Sequence, residues 1–193
     1  MTPSVPDRSS LSRVVPALLL VSSLTMLGGC DEVRAIAEAP MRSSANEEIG
    51  RAVLREFGAG VQISLEVKGL KPGRHGFHLH KVGQCLPPDF LSAGSHLNPE
   101  GREHGRRNPR GHHLGDLPNL EIGPGGTGSI VVMVPGVTLR EGPHTLMDND
   151  GTSLVIHADP DDETTEPVGK AGPRIACGTI LELLPAIRTE AKP

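Results

Sequence analysis

The sequence predicts an all-β fold, an antiparallel sandwich or barrel, on three observations. The segment Val61-Gln62-Ile63-Ser64-Leu65-Glu66-Val67-Lys68 alternates apolar and polar residues, the period-two signature of a half-buried strand. Further short apolar runs follow, separated by Gly, Asn and Asp turns. No stretch carries the long periodicity of an amphipathic helix, and no internal repeat is present. The 24 Gly and 18 Pro suit a chain of many turns and long ordered loops. Phe57, Phe77 and Phe90 are the whole aromatic content, so Val, Ile, Leu and Ala must build the core.

Taken in order, residues 1–29 read as an export signal. Arg8 and Arg13 precede an apolar stretch, Val14 to Leu27, that is too short for the roughly 20 residues of a spanning helix and contains Pro16. Leu27-Gly28-Gly29-Cys30 resembles the lipobox of bacterial lipoproteins, in which cleavage precedes the Cys and the thiol is acylated. That predicts an exported protein, membrane-anchored through lipid on Cys30 and facing the periplasm or cell exterior. Residues 30–48 are then the lipidated Cys, a polar, Ala-rich tether and a first strand around Val33 to Met41, ahead of a main domain at 49–193. If Cys30 carries lipid, Cys85 and Cys177 remain as one pair, and an exported compartment is oxidising enough to join them.

Within the domain, Arg51 to Phe57 and Val61 to Leu70 read as a hairpin turning at Gly58-Ala59-Gly60. Lys71-Pro72-Gly73 is a second turn leading into a strand at Gly76 to Lys81. Val82 to Pro118 shows no periodicity, and 37 residues is too long for a bland connection in a compact domain. Strands resume at Gly128 to Pro135 and Ser153 to Ala158. A charged loop, Asp159 to Pro173, precedes a last strand from Arg174 to Leu184. The net charge is -4, becoming -5 once residues 1–29 with Asp7, Arg8 and Arg13 are removed. That mild acidity, with no run of Lys or Arg forming a stripe, argues against a nucleic-acid surface.

The nine His direct the functional reading. On a strand, His78 and His80 point to one face and can share a metal. An isolated H-x-H is as often a solvated pair. The long loop adds His96, His104, His113 and Asp116, four ligand-type side chains in 21 residues, a donor set suited to zinc. His157 closes the run Ser153-Leu154-Val155-Ile156, a rigid position for one more ligand.

Five motifs together are similar to the copper/zinc superoxide dismutases: His75-Gly76-Phe77-His78-Leu79-His80, Ala93-Gly94-Ser95-His96-Leu97-Asn98-Pro99, His113-Leu114-Gly115-Asp116-Leu117-Pro118, Leu154-Val155-Ile156-His157 and Arg174-Ile175-Ala176-Cys177-Gly178. They stand in family order across residues 49 to 182. The resemblance implies a Greek-key barrel of about eight antiparallel strands with long metal-binding and active-site loops. It implies copper on His78, His80, His96 and His157, and zinc on His96, His104, His113 and Asp116. It further implies a Cys85–Cys177 disulfide, an anion-binding Arg174, and Asp161 orienting His78 and His104. His75 and His144 match structural, non-ligand positions, and His112 has no assigned role. The expected substrate is superoxide, and a homodimer is compatible with the sequence. The acidic run Asp159, Asp161, Asp162, Glu163 and Glu166 departs from the family pattern and would weaken anion attraction unless its charges are paired.

Two other functions stand beside dismutation: buffering or delivery of copper or zinc on the same scaffold, and a structural module that lost its chemistry. The anchor is tested by fractionation: Cys30→Ser is expected to move the protein from the membrane fraction to the soluble exported fraction. Unchanged membrane association would contradict the lipid reading.

Overall fold

The computed structural model describes residues 35–58 and 60–183; Cys30 and the signal-like segment lie outside them. Ten strands follow one another: β1 (Ala35–Ser43), β2 (Glu48–Phe57), β3 (Gly60–Val67), β4 (Gly73–His75), β5 (Phe77–His80), β6 (Leu120–Ile122), β7 (Gly128–Pro135), β8 (Ser153–His157), β9 (Arg174–Thr179) and β10 (Leu181–Glu182). The one helical element among the described residues is a 3-10 turn at Leu91–Ala93.

One antiparallel sheet curls through the order β5-β8-β9-β1-β2-β3-β7, with β10 extending beside β1, while β4 and β6 form a small second sheet. The chain therefore crosses from one end of the sheet to the other twice, from β3 to β5 and from β7 back to β8, which makes the connectivity a Greek key. The β2–β3 hairpin pairs from Gly50↔Val67 to Phe57↔Gly60, as the alternation of Val61 to Lys68 predicts.

The Ala-rich segment read as tether and first strand forms β1, which lies inside the sheet between β2 on one side and β9 and β10 on the other. Its buried face consists of Ala37, Ala39 and Met41, small residues whose alternation gives little hydrophobic signal. Pro40 also argued against a central strand. It falls where the ladder passes from β10 (Ala37, Glu38) to β9 (Arg42, Ser43), beside a register shift at Met41/Arg42. An irregularity of this kind is where a sheet tolerates proline.

The core is aliphatic, as the composition requires: Leu54, Ile63, Leu65, Leu79, Leu120, Leu139, Leu146, Leu154 and Ile156 surround Phe77. Glu56 is buried at one end, where its carboxylate accepts the Leu139 backbone N–H at 2.5 Å and ties down the crossover after β7. Strands β5 and β8 are buried on both faces. One face of β8 sends Leu154 and Ile156 into the barrel. The other packs Val155 against Phe90, Ala93 and Cys177 beneath the long loop.

Cys85 in that loop is joined to Cys177 on β9 across 92 residues, with Cα atoms 5.6 Å apart. Closing a loop of that length restricts the unfolded chain by about 4–5 kcal/mol in the chain-entropy account. Reduction is therefore expected to lower unfolding stability by roughly that amount, read from urea midpoints with and without reductant. An unchanged midpoint would contradict it.

Candidate metal centre

The site grows from the two-residue period of β5. Phe77 and Leu79 enter the barrel core, so His78 and His80 project from the opposite face. Strand β5 is also an edge of the sheet, and the long loop satisfies its free backbone groups. Leu79 N–H donates to Gly115 O at 2.9 Å, Leu97 N–H to Leu79 O at 2.9 Å, and Lys81 N–H to Ser95 O at 2.9 Å. This ladder sets His96 beside His80 and Asp116 beside His78. Gly115 permits the approach, because a Cβ there would lie 2.4 Å from Leu79 O. His157 ends β8 at a register shift after Ile156, a local bend that re-aims a side chain.

Two groups of donor atoms result. His96, His104, His113 and Asp116 form one; His78, His80, His96 and His157 form the other, and all are buried. In the first, Asp116 Oδ1 lies 2.9 Å from His96 Nδ1, 3.1 Å from His104 Nδ1 and 3.2 Å from His113 Nδ1. Nδ1 of His113 and Nδ1 of His96 are 3.4 Å apart. A tetrahedron of ligands about 2.0–2.1 Å from a central ion has edges of roughly 3.3 Å. The Asp116 Oδ2 atom is occupied elsewhere, accepting Gly105 N–H at 2.9 Å and His113 N–H at 3.0 Å, which leaves Oδ1 for the group.

In the second group, Nε2 of His80 and Nε2 of His157 stand 3.4 Å apart. His78 Nδ1 and His96 Nε2 are buried with no protein partner. A buried polar atom without a partner is costly, and two of them aimed at one centre fit a cation there. The donor sets fit the expected ions: four imidazoles for copper, three imidazoles and a carboxylate for zinc.

The outward-facing nitrogens fix each ring. His80 Nδ1–H donates to Gly94 O at 2.9 Å and His157 Nδ1–H to Gly172 O at 3.1 Å. Asp161 spans the groups, accepting from His78 Nε2 at 2.8 Å and His104 Nε2 at 3.0 Å. Its backbone is locked by Asn119, whose Nδ2 donates to Asp161 O at 2.8 Å and whose Oδ1 accepts Asp161 N–H at 2.7 Å. Gly169, at φ +62, leaves the space: a Cβ there would lie 1.7 Å from Asp161 Oδ1.

Burial pushes His96 down to about 4 and His157 to about 3, and it lowers His80 strongly, so these rings are neutral near pH 7, the form in which an imidazole can bind a metal. Burial acts the same way on His104, but hydrogen bonds to Asp116 and Asp161 outweigh it and raise the group to about 10. The space between those two carboxylates favours positive charge. Arg174, half-buried, donates from Nη1 to Phe90 O at 2.6 Å and from Nη2 to Gly94 O at 2.6 Å. Gly94 O thus serves both Arg174 and His80.

The three remaining His lie outside both groups. His75 is held between His157 O and Lys71 O, each at 2.8 Å. His144 lies 3.7 Å from Glu100, and His112 is exposed. Sequence reasoning missed Asn119 and the carbonyls of Phe90, Gly94 and Gly172, because a backbone acceptor leaves no trace in residue type. The acidic run is extensively paired. Asp162 faces Lys170 at 3.5 Å, Glu163 faces Arg107 at 3.4 Å and Arg106 at 4.0 Å, and Glu166 accepts the His104 backbone N–H.

Residues 49–180 match the family described as copper/zinc superoxide dismutase. The chain is 43% identical to superoxide dismutase [Cu-Zn] 2 of Aquifex aeolicus over 164 residues, covering 84% of this chain and 96% of that protein. It is 41% identical to superoxide dismutase [Cu-Zn] of Caulobacter vibrioides over 147 residues, 75% of this chain and 84% of the relative. Its fold is similar to the crystal structure of a superoxide dismutase-like protein from Bacillus subtilis, with a TM-score of 0.72 and 37% identity over 75% of this chain and 97% of that one. Sequence, fold and donor chemistry agree: the chain belongs to the copper/zinc superoxide dismutases, oxidoreductases that use both metals.

Proposed function

We propose that this protein protects an exported compartment by converting superoxide to oxygen and hydrogen peroxide. In this reading His78, His80, His96 and His157 hold copper, and His96, His104, His113 and Asp116 hold zinc. One observation carries it: the buried His96 ring offers Nδ1 to one donor group and an unpartnered Nε2 to the other. A ring so placed would be shared by the two metals.

Copper, when bound, supplies the one-electron couple that oxidises one superoxide and reduces the next, while zinc contributes fixed charge and geometry. The chain's own residues do the rest. His96 must lose both ring protons to serve two cations, which adjacent positive charge favours. His96 Nε2, buried without a protein partner, would be the atom able to hold a proton and pass it on to the reduced product. Arg174 keeps a fixed positive charge at the copper group, and its backbone anchors leave further N–H donors to receive an anion. Asp161 holds His78 and His104 in orientation, so each offers Nδ1 to its own group.

A metal-storage role is the rival, and the anchored guanidinium weighs against it. Binding a cation has no use for a fixed cation beside it. Export is supported by the apolar N-terminal stretch and by the Cys85–Cys177 disulfide, and lipid on Cys30 would tether the barrel to a membrane.

Stopped-flow decay of superoxide, with copper- and zinc-loaded protein against a chelator-stripped control, tests the activity. His157→Ala is expected to abolish turnover while leaving zinc bound; full activity in that variant would remove His157 from the site. Arg174→Ala is expected to lower kcat/KM by about tenfold or more and to flatten its dependence on ionic strength. Tight binding of both metals by the unaltered protein without turnover would favour metal handling.

A further inference from the structure

The acidic run after His157 is the feature that sequence reasoning set against catalysis, and its carboxylates point to a different task. We propose that Asp161–Glu166 is a clasp that holds His104 in the zinc group, gripped from the long loop by Arg106 and Arg107. The proposal rests on reading His104 as a zinc ligand.

His104 is held by this segment on two sides. Glu166 accepts its backbone N–H, and Asp161 accepts from its Nε2 at 3.0 Å. The next residue, Gly105, passes so close that a Cβ would lie 2.2 Å from Glu163 O, and its φ of +107 suits only glycine. Glu163 itself adopts a left-handed φ of +60. Its N–H donates to Asp161 Oδ1 at 2.6 Å, and its carbonyl accepts Arg107 N–H at 3.1 Å. The Glu163 carboxylate is 16% exposed and turns toward Arg107 Nε at 3.4 Å and Arg106 Nη1 at 4.0 Å. Arg107 Nη2 also reaches Asp162 O at 2.7 Å.

One exposed ion pair contributes little. Here the pairs act together with backbone bonds on either side of a single ligand, and they join the two loops that enclose the site. Partners that orient a metal ligand govern how firmly the ion is kept. The segment therefore sets zinc retention, and its charge is spent on arginines and backbone N–H groups rather than left to repel superoxide.

The test is the rate at which the copper- and zinc-loaded protein gives up zinc to the chromogenic chelator 4-(2-pyridylazo)resorcinol. Glu163→Ala and Arg107→Ala are each expected to release zinc about tenfold faster, in the range seen when outer partners of metal ligands are removed. The double variant should speed release by less than the two single effects combined, because both substitutions remove the Glu163–Arg107 pair. Glu141→Gln, an exposed acidic residue outside the clasp, serves as a control for charge alone and is expected to match the unaltered protein. Unchanged release in the clasp variants overturns the proposal. So does a rise in kcat/KM at low salt with zinc release unaltered, which would make the run a repeller of the anion. Failure of the unaltered protein to hold zinc overturns the ligand reading itself. Should Glu163→Ala not fold, Arg107→Ala, on an exposed residue, carries the test.

Discussion

Six imidazoles and two carboxylates packed away from water between two strands and two loops can coexist only if their polar atoms are satisfied. This constraint governs the rest of the molecule. His78, His80 and His104 are completely buried, and His96, His157, Asp116 and Asp161 nearly so. Each outward nitrogen of His78, His80, His104 and His157 meets an oxygen of the protein. The inward atoms converge in two clusters whose spacing suits a metal ion in each. Burial keeps His80, His96 and His157 neutral, while Asp116 and Asp161 bring negative charge where a divalent ion would balance it.

The barrel supplies what such a site needs. An edge strand, β5, has one face in the core and one free, and its unpaired backbone edge is a template for the loop. The loop is long because it must cover the outer face of β5 and β8, and it stays ordered through a backbone ladder to β5. A disulfide to β9 and the small cluster of Phe90, Ala93 and Val155 hold it further. Arg174 links these parts: it stands on β9, three residues before Cys177, and both its backbone acceptors lie in the loop. The cover of the site and the placement of Arg174 thus share the same contacts.

Much of this was legible in the residues. β7 has the bounds, Gly128 to Pro135, that its apolar run indicated, and the β2–β3 hairpin turns where Gly58-Ala59-Gly60 pointed. The ligand-type residues were readable because His is rare and its spacing on β5 follows directly from the strand period. β1 was faint because Ala37 and Ala39 carry little hydrophobic contrast and Pro40 interrupts the pattern. β4 and β6, at three residues each, are shorter than any periodicity can reveal. The acidic run was misleading in isolation: composition shows charge, while only the fold shows Arg106, Arg107 and the His104 backbone waiting for it.

The central claim is that two different ions sit in two buried groups joined by His96. Crystals of the copper- and zinc-loaded protein, with anomalous diffraction recorded across both absorption edges, test it most directly. The account predicts a copper signal bounded by His78 Nδ1, His80 Nε2 and His157 Nε2, and a zinc signal among Asp116 Oδ1 and the Nδ1 atoms of His96, His104 and His113. Metal in only one group, or bound instead at His112 or His144, would contradict it.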